Sequence, residues 1–184
     1  DSMNLASSIN AGAGTVTLQN KSAGVKIDIG SGTGTSGTDV GSATLTSRTL
    51  GLTNAELNKI TAAKTVISNT STTASSGDIT VSAATNTLAA TGNITLQTGG
   101  NIAVNKALTI ASGTTLTLNG AGASSTISQA NTAAGITADK VEFLGDNAVV
   151  TLQPADSSNK IGVLAGKVKS FALGNNRDLT VDVV

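Results

Sequence analysis

The chain contains no cysteine and no histidine, and aromatic side chains make up only 1% of its 184 residues. Without cysteine it has no disulfide and no thiolate metal site, and without histidine it has no Ser-His-Asp triad, no Cys-His dyad and no ordinary zinc site. Two Phe are the only aromatic residues, so a core has to be built from Val, Ile, Leu and Ala. Such side chains suit many similar layers better than one large centre.

The chain also has no excess of positive or negative charge, since its 11 basic and 11 acidic residues cancel. No run of Lys or Arg forms a basic stripe. We therefore expect no nucleic-acid partner and no attraction to an anionic membrane surface. No stretch approaches the roughly 18 consecutive apolar residues of a spanning helix, so we expect no membrane insertion by this segment. The amino-terminal "DSMNLASSIN" lacks the basic and apolar regions of an export signal, which predicts that any such signal has been removed or lies outside the chain.

What the sequence does contain is a repeated alternation of apolar with polar or small residues. The alternating segments are 15–20, 24–30, 78–83, 93–98, 101–105, 108–112, 115–120, 141–145, 149–153 and 178–183. A period of two over about five residues is typical of half-buried strands. The chain is therefore predicted to be all-β.

Some of these strands recur at a nearly constant distance. The recurrent pairs are Ile94 and Leu96 with Leu116 and Leu118, and Ile79 and Val81 with Ile102 and Val104. Three alternations fall within each step, which predicts a three-sided β-solenoid of about 22 residues per coil. We expect these apolar side chains to face inward and to stack between coils, in one domain over residues 1–184.

Antiparallel hairpins are the competing interpretation, because short strands with Gly-rich turns also build sandwiches. A sandwich of this size usually contains core aromatics, and Asn119-Gly120 is the only strong two-residue hairpin turn in the chain. The pattern favours the solenoid, and the sandwich stays open.

One segment has the sequence of a helix. Thr53 and Glu56 have the spacing of a capping box, and Leu52 with Leu57 has that of a hydrophobic staple. The pattern predicts a helical excursion near 53–63, of some ten residues, that lays Leu57 and Ile60 on an apolar surface.

The chain resembles the filamentous-haemagglutinin-like proteins, the long repeat adhesins of bacteria, over nearly its whole length. The segments that carry the resemblance, in order, are "GVKIDIGSG", "LGLTNAELNKITAAKTVIS", "SGDITVSA", "LTIASGTTLTLNGAG" and "AVVTLQPADSSNKIGVLAGKVKSFALGNNRDLTVDV". The segment around Glu56 and the closing "NRDLTVDV" are the more specific of these. The chain looks like one unit of the family's large repeat.

That resemblance implies a right-handed parallel β-helix, a location outside the cell or on the bacterial cell surface, and a role as adhesin or stalk. Its partners would be neighbouring repeats, further copies stacked head-to-tail and, as receptors, glycans or proteins of a host or cell surface. Two departures stand out: no amino-terminal secretion domain is visible, and residues 31–49 form a longer spacer than usual.

Two other functions are known for such a fold. Polysaccharide-processing β-helices need clustered carboxylates, and Asp139, Glu142 and Asp146 are predicted to be solvated surface instead. An ice-binding face needs Thr-x-Thr pairs once per coil, whereas those at 15–17, 44–46 and 115–117 are irregularly spaced. No calcium-binding nonapeptide is present. We therefore expect no enzyme activity, no metal and no cofactor, and ice binding remains an alternative.

The two ends of the chain complete the sequence-based expectations. The carboxyl-terminal "DLTVDVV" places Leu179, Val181 and Val183 on one strand face without a capping helix, and Leu5 and Ile9 offer at best a thin cover at the other end. An uncovered solenoid end exposes strand edges and core. We expect these ends either to associate with further layers or simply to fray.

Overall fold

A computed structural model of the chain describes residues 5–30, 49–69, 77–85, 91–130, 134–152 and 158–183. In these residues the protein is all-β, with a single 13-stranded sheet that curls into a half-barrel and one helical turn. Every strand pairing in the sheet is parallel. A sandwich of antiparallel hairpins, the competing interpretation, is therefore not what the described residues form.

The elements follow in chain order. They are β1 (Ile9–Gln19), β2 (Lys26–Ile29), β3 (Thr49–Leu52), α1 (Asn54–Leu57), β4 (Ile60–Ser68), β5 (Ile79–Val81), β6 (Thr91–Thr98), β7 (Ile102–Val104), β8 (Leu108–Thr109), β9 (Thr115–Gly120), β10 (Thr126–Gln129), β11 (Ile136–Leu152), β12 (Lys160–Leu173) and β13 (Thr180–Val181).

The strand pairings fall into three ladders. The first ladder stacks β1, β4, β6, β9, β11, β12 and β13. The second ladder stacks β3, β2, β5, β7, β10 and later parts of β11 and β12. The third ladder is short and joins Thr85, β8 and the starts of β11 and β12. The two long strands β11 and β12 therefore take part in all three ladders.

The recurrences predicted from the sequence are true register partners. Ile94 pairs with Leu116, and Ile79 pairs with Ile102. The step is not constant elsewhere in the first ladder, because the chain between Thr65 and its partner Ile94 is longer than the chain between Ile94 and Leu116. Turns of different length therefore separate layers that are themselves similar.

The core lies inside the curl and is made of inward columns of aliphatic side chains. The six side chains expected to face inward are at most 2% exposed: Ile94, Leu96, Ile102, Val104, Leu116 and Leu118. Alternation produces this arrangement, because successive side chains of a strand point to opposite faces of the sheet. In parallel register each inward side chain then contacts its equivalent one layer away.

The helix is shorter than the sequence analysis predicts. It spans Asn54–Leu57 only, and Ile60 is the first residue of β4. Residues 60–68 form a strand and not a helix because many of them are β-branched and favour extended backbone. The β-branched residues are Ile60, Thr61, Thr65, Val66 and Ile67. Pairing with β1 also gives this segment a continuous backbone ladder.

Strand β3 follows β2 in the chain but lies on the side of β2 that faces away from β5. Strand β3 pairs with the outer edge of β2, so the order of these two strands in the second ladder is the reverse of their order in the sequence. Gly30, at the end of β2, has φ +82, and a Cβ there would lie 2.7 Å from the carbonyl oxygen of Ala83. The connection includes most of the long spacer, and its residues 31–48, with the Thr pair at 44–46, lie outside the described residues.

Candidate interaction surfaces

The helical turn lies at the amino-terminal end of the sheet. Thr53 is its N-cap, and the Glu56 carboxylate accepts hydrogen bonds from the Thr53 backbone N–H at 3.0 Å and from the Thr53 hydroxyl at 2.8 Å. The same carboxylate accepts from the Leu5 N–H at 3.3 Å, and Lys59 Nζ donates to the Leu5 carbonyl oxygen at 2.6 Å. The capping box therefore also anchors the first described residues of the chain.

This end of the core is covered. Leu50, Leu52, Leu57 and Ile60 are each at most 1% exposed. The staple pair predicted from sequence, Leu52 and Leu57, belongs to this group and is almost completely buried. Among the residues that the structure describes, the amino-terminal end therefore offers little apolar surface to a partner.

The carboxyl-terminal end is different. The exposed large apolar side chains of the described residues are all found there: Phe171 at 39%, Leu179 at 39%, Val181 at 74% and Val183 at 85%. Val181 pairs with Leu164 and is the last member of an inward column of the first ladder. It is exposed because no further described layer covers it.

An apolar groove of about 200 Å³ opens at this end. Phe143 and Phe171 form one wall, with ring centroids 5.2 Å apart, and Val181 lines another side. Gly166 is the register partner of Phe143 in β12 and leaves the space above that ring empty of side chain. The groove is therefore shaped to receive an apolar side chain from a further layer.

The backbone edge of β12 is open along most of its length. Strand β13 pairs only with Val163 and Leu164, so 167–173 has no strand partner on its outer side among the described residues. Lys167 forms an ion pair with Asp146 at 2.9 Å. A strand edge without a strand partner is the usual template for the addition of another strand.

The three acidic residues considered for catalysis do not form a cluster. Asp139 accepts hydrogen bonds from the Gly113 N–H at 2.8 Å, from the Ser112 hydroxyl at 2.9 Å and from Arg177 at 3.2 Å. These bonds, led by the one from Gly113, lower the pKa of Asp139 below its ordinary value of 3.8. Asp139 therefore links three layers of the sheet through its hydrogen bonds.

The other two carboxylates also have separate partners. Glu142 accepts a hydrogen bond from the Thr117 hydroxyl at 2.9 Å, and Asp146 is the partner of Lys167. Asp182 accepts from the Val183 N–H at 2.9 Å and pairs with Lys140 at 3.2 Å, and these contacts, the first more than the second, lower its pKa. Each of these acidic side chains therefore has its own local partner.

The outward side of the first ladder carries a polar groove of about 260 Å³. Its lining residues form two adjacent columns: Lys64, Asn93, Thr115 and Lys140 in one, and Thr95, Thr117 and Glu142 in the other. We define this as the ladder groove. The apolar alternation does not reveal this groove, although Asn93 and Thr115 have the same spacing along the chain as Ile94 and Leu116.

The same two columns contain the Thr-x-Thr pairs. Thr15 and Thr17 are register partners of Lys64 and Val66 in β4, whereas Thr115 and Thr117 lie two layers further on. The pairs therefore share columns, and Lys64, Val66 and Asn93 interrupt them. A regular array of Thr side chains is not formed over these layers.

Among the described residues there is no group of three or more carboxylates that could hold a metal ion. Within the same part of the chain, none of the helical structure has the length and apolar character needed to cross a membrane.

Comparison with known proteins gives no match for this chain. No protein-family model matches it, and neither a curated protein nor a solved structure does.

Proposed function

We propose that this chain is a non-catalytic extracellular segment of a bacterial surface or secreted fibre, built as a right-handed, three-sided parallel β-solenoid that acts as a stalk or adhesin. The observation that carries the proposal is the contrast between the two ends of the sheet. The amino-terminal end covers its core, and the carboxyl-terminal end presents inward columns and an open strand edge. A molecule of this kind is suited to continue into further layers.

The solenoid part of the proposal is supported by the three parallel ladders. A chain that returns again and again to the same ladder, as from Thr65 to Ile94 and from Leu164 to Val181, runs around a common axis. Connections between parallel strands of one sheet are right-handed in nearly all known cases, because right-twisted strands pack back onto the sheet in that way. Right-handed coiling is therefore the expected hand.

The stalk part is supported by the apolar groove and the edge of β12. Another layer placed on this end would cover Phe171 and Val181 and would continue both ladders. Neighbouring repeats could supply that layer covalently, and a further copy stacked head-to-tail could supply it by association. In the second case the carboxyl-terminal end contributes most of the apolar surface that becomes buried, since the other end is already covered.

The extracellular location and the adhesin role are supported by the resemblance to filamentous-haemagglutinin-like proteins. A surface of Thr, Asn and Ser without Tyr or Trp would recognise glycans or proteins of another cell weakly, so binding would depend on many copies in a fibre.

Sedimentation velocity over a range of concentrations tests the stacking. The wild-type chain is expected to associate as its concentration rises, whereas Val181→Lys is expected to remain monomeric because it places a charge in the uncovered column. Thr180→Lys is the matched control, since Thr180 is the preceding residue of β13, is also exposed, and pairs with Val163 instead of an inward column residue. A wild-type chain that is monomeric at all concentrations, or equal behaviour of the two variants, would contradict head-to-tail stacking of copies.

A further inference from the structure

The first and second ladders end at different layers of the carboxyl-terminal end. The chain runs from 163–168 in the first ladder directly to 170–173 in the second, so both parts of β12 belong to one layer. Strand β13 pairs with the outer side of β12 in the first ladder only. Among the described residues, the first ladder therefore extends one layer beyond the second, and this end of the molecule has a step.

The apolar groove lies at this step. Phe171 is the last described member of an inward column of the second ladder, and Val181 is the last described member of one in the first ladder. Both side chains line the groove, and their exposed fractions are 39% and 74%. A strand laid beside 170–173 would fill the missing layer of the second ladder and cover Phe171.

The backbone groups of the two strand edges have matching directions. Successive residues of a strand direct their N–H and C=O groups to opposite sides. The Gly174 N–H donates to β11 at 3.1 Å, so the backbone groups of Phe171 point to the outer side of β12. The Asp182 N–H donates to β12 at 2.8 Å, so those of Val181 point to the outer side of β13. Phe171 and Val181 therefore have the backbone directions and the inward side chains of an antiparallel hydrogen-bonded pair.

The charges of the two edges are complementary. Strand β12 contains three lysines and no acidic residue, whereas residues 178–183 contain two Asp and no basic residue. Lys169 is exposed and forms no ion pair within the described part of the chain. The amino-terminal end offers no such match, because β3 has no charged residue and its Leu50 and Leu52 are already buried.

We propose that the carboxyl-terminal ends of two copies join around a two-fold axis, with β13 of each copy added antiparallel to 169–173 of the other copy's β12. Val181 of one copy lies opposite Phe171 of the other, and Asp182 lies opposite Ser170, next to Lys169. The two-fold axis brings the first ladder of each copy onto the second ladder of the other, so each step fills the other. Such a contact is isologous, and it closes at the dimer instead of growing into a fibre.

This inference rests on the proposed function, in which the carboxyl-terminal end is the interacting one, and it names the occupant of that end when no covalent repeat covers it. Head-to-tail stacking would instead pair β13 with β1 of the next copy, because Thr15 and Thr180 begin and end one outward column of the first ladder. The two arrangements therefore place different residues beside Thr180, namely Ala172 in the dimer and Thr15 in the stack.

Disulfide cross-linking distinguishes the two arrangements, since the chain has no cysteine of its own. Ala172 and Thr180 face each other in the dimer as a non-hydrogen-bonded antiparallel pair, whose Cα atoms are about 4.5 Å apart and within reach of a disulfide. A mixture of the single variants Thr180→Cys and Ala172→Cys is expected to give a disulfide-linked heterodimer under mild oxidation. A mixture of Thr180→Cys and Thr15→Cys is the matched control, and it should give no more product than each variant alone.

Sedimentation velocity gives a second readout. The wild-type chain is expected to pass from monomer to dimer as its concentration rises and to stop there. Lys169→Glu is expected to weaken dimerisation about tenfold, because an attraction to Asp182 becomes a repulsion at two equivalent places. Lys160→Glu is the charge-matched control, since Lys160 is also exposed but belongs to the third ladder, and it should leave the dimer unchanged.

The inference is overturned if the Thr180 and Thr15 variants cross-link as readily as the Thr180 and Ala172 variants, or if the two lysine variants dimerise equally well. Association that continues beyond the dimer also overturns it, and is the result expected for head-to-tail stacking. A chain that stays monomeric would overturn both this inference and the stacking of copies, so the two can fail separately.

Discussion

Buried hydroxyl groups show how much one residue can depend on its position in a layer. Thr65 faces inward between Val16 and Ile94, is 1% exposed, and has a hydroxyl without a hydrogen-bond partner among the described residues. Thr98 is equally buried, but its hydroxyl donates to the Gly77 carbonyl oxygen at 2.7 Å and accepts from the Gly100 N–H at 3.0 Å. The same side chain is therefore unfavourable in one place and stabilising in the other.

This contrast gives a paired prediction. Thr65→Val is nearly isosteric and removes an unsatisfied polar group, so it should stabilise the protein by about 1 kcal/mol. Thr98→Val leaves two backbone groups without their partner and should destabilise it by about 1 to 3 kcal/mol. Chemical denaturation of both variants measures the difference. The hydrogen-bond assignment is wrong if the two substitutions change stability in the same direction.

A second prediction concerns Asp139 and the pH dependence of stability. Its pKa is lowered in the folded protein chiefly by the Gly113 N–H, followed by Ser112 and Arg177. A lowered folded-state pKa means that the stabilisation is complete above the ordinary value of 3.8 and is lost as the pH falls through the folded-state value. Asp139→Asn should therefore melt below the wild type at pH 7 and close to it at about pH 2.

Asp178→Asn is the control for that measurement, because Asp178 has no hydrogen bond or ion pair among the described residues. It should leave the melting temperature nearly unchanged at both pH values. A pH-independent difference between Asp139→Asn and the wild type would show that the carboxylate charge is not the cause.

At the scale of an element, the inward column is the unit of stability. Leu118 is 0% exposed and lies between its register partners Leu96 and Phe143. Every strand of the first ladder contributes to such a column, so a change at one layer affects the two layers next to it. The columns hold the ladder together because neighbouring aliphatic side chains exclude water over its length.

Leu118→Asp should consequently cost several kcal/mol, because a carboxylate without a positive partner is placed in an aliphatic column. Thr117→Lys is the matched control: Thr117 is the preceding residue, points outward and lies beside Glu142. Thermal unfolding followed by circular dichroism compares the two. Equal melting temperatures would mean that the inward and outward faces of β9 are assigned the wrong way round.

The whole molecule is asymmetric along the ladders. Strand β3 closes one end, where Leu50 and Leu52 are almost completely buried, and β13 is a two-residue strand whose Val181 is 74% exposed at the other. Few buried apolar contacts make a segment open locally at low free energy. The two terminal strands should therefore differ in stability although each is the last in its ladder.

Native-state hydrogen exchange checks this. Amides of β3 are expected to exchange slowly, with protection close to that of β7, and those of β13 to exchange fast. At higher protein concentration the protection of β13 should rise if stacking covers it. Rapid exchange at β3 under conditions where β7 is protected would show that the amino-terminal end is open as well.

Several features were decided by local sequence. Alternation identified β6, β7 and β9 and the inward direction of Leu96 and Leu118, and the Thr53–Glu56 spacing marked the helical turn. These are properties of neighbouring residues along the chain, and they persist whatever the strand pairs with. The predicted end of the helix, at residue 63, was wrong. Pairing of β4 with β1 is a long-range contact, and the local pattern carries no information about it.

Other features were decided only by the tertiary structure. Strand β10 ends on Gln129, which is buried and donates to the Ala134 carbonyl oxygen at 2.6 Å. Because a polar residue occupies this inward position, the alternation of apolar and polar residues did not predict β10. The return of β3 to the outside of β2 and the column that joins Lys64 to Lys140 depend on turns of unequal length. The sequence by itself determined which face of each strand is apolar, because that follows from a period of two. Which strands become neighbours was decided by the fold, because the offset between layers is the sum of a strand and its turns, and the turns vary without changing the pattern of the strands.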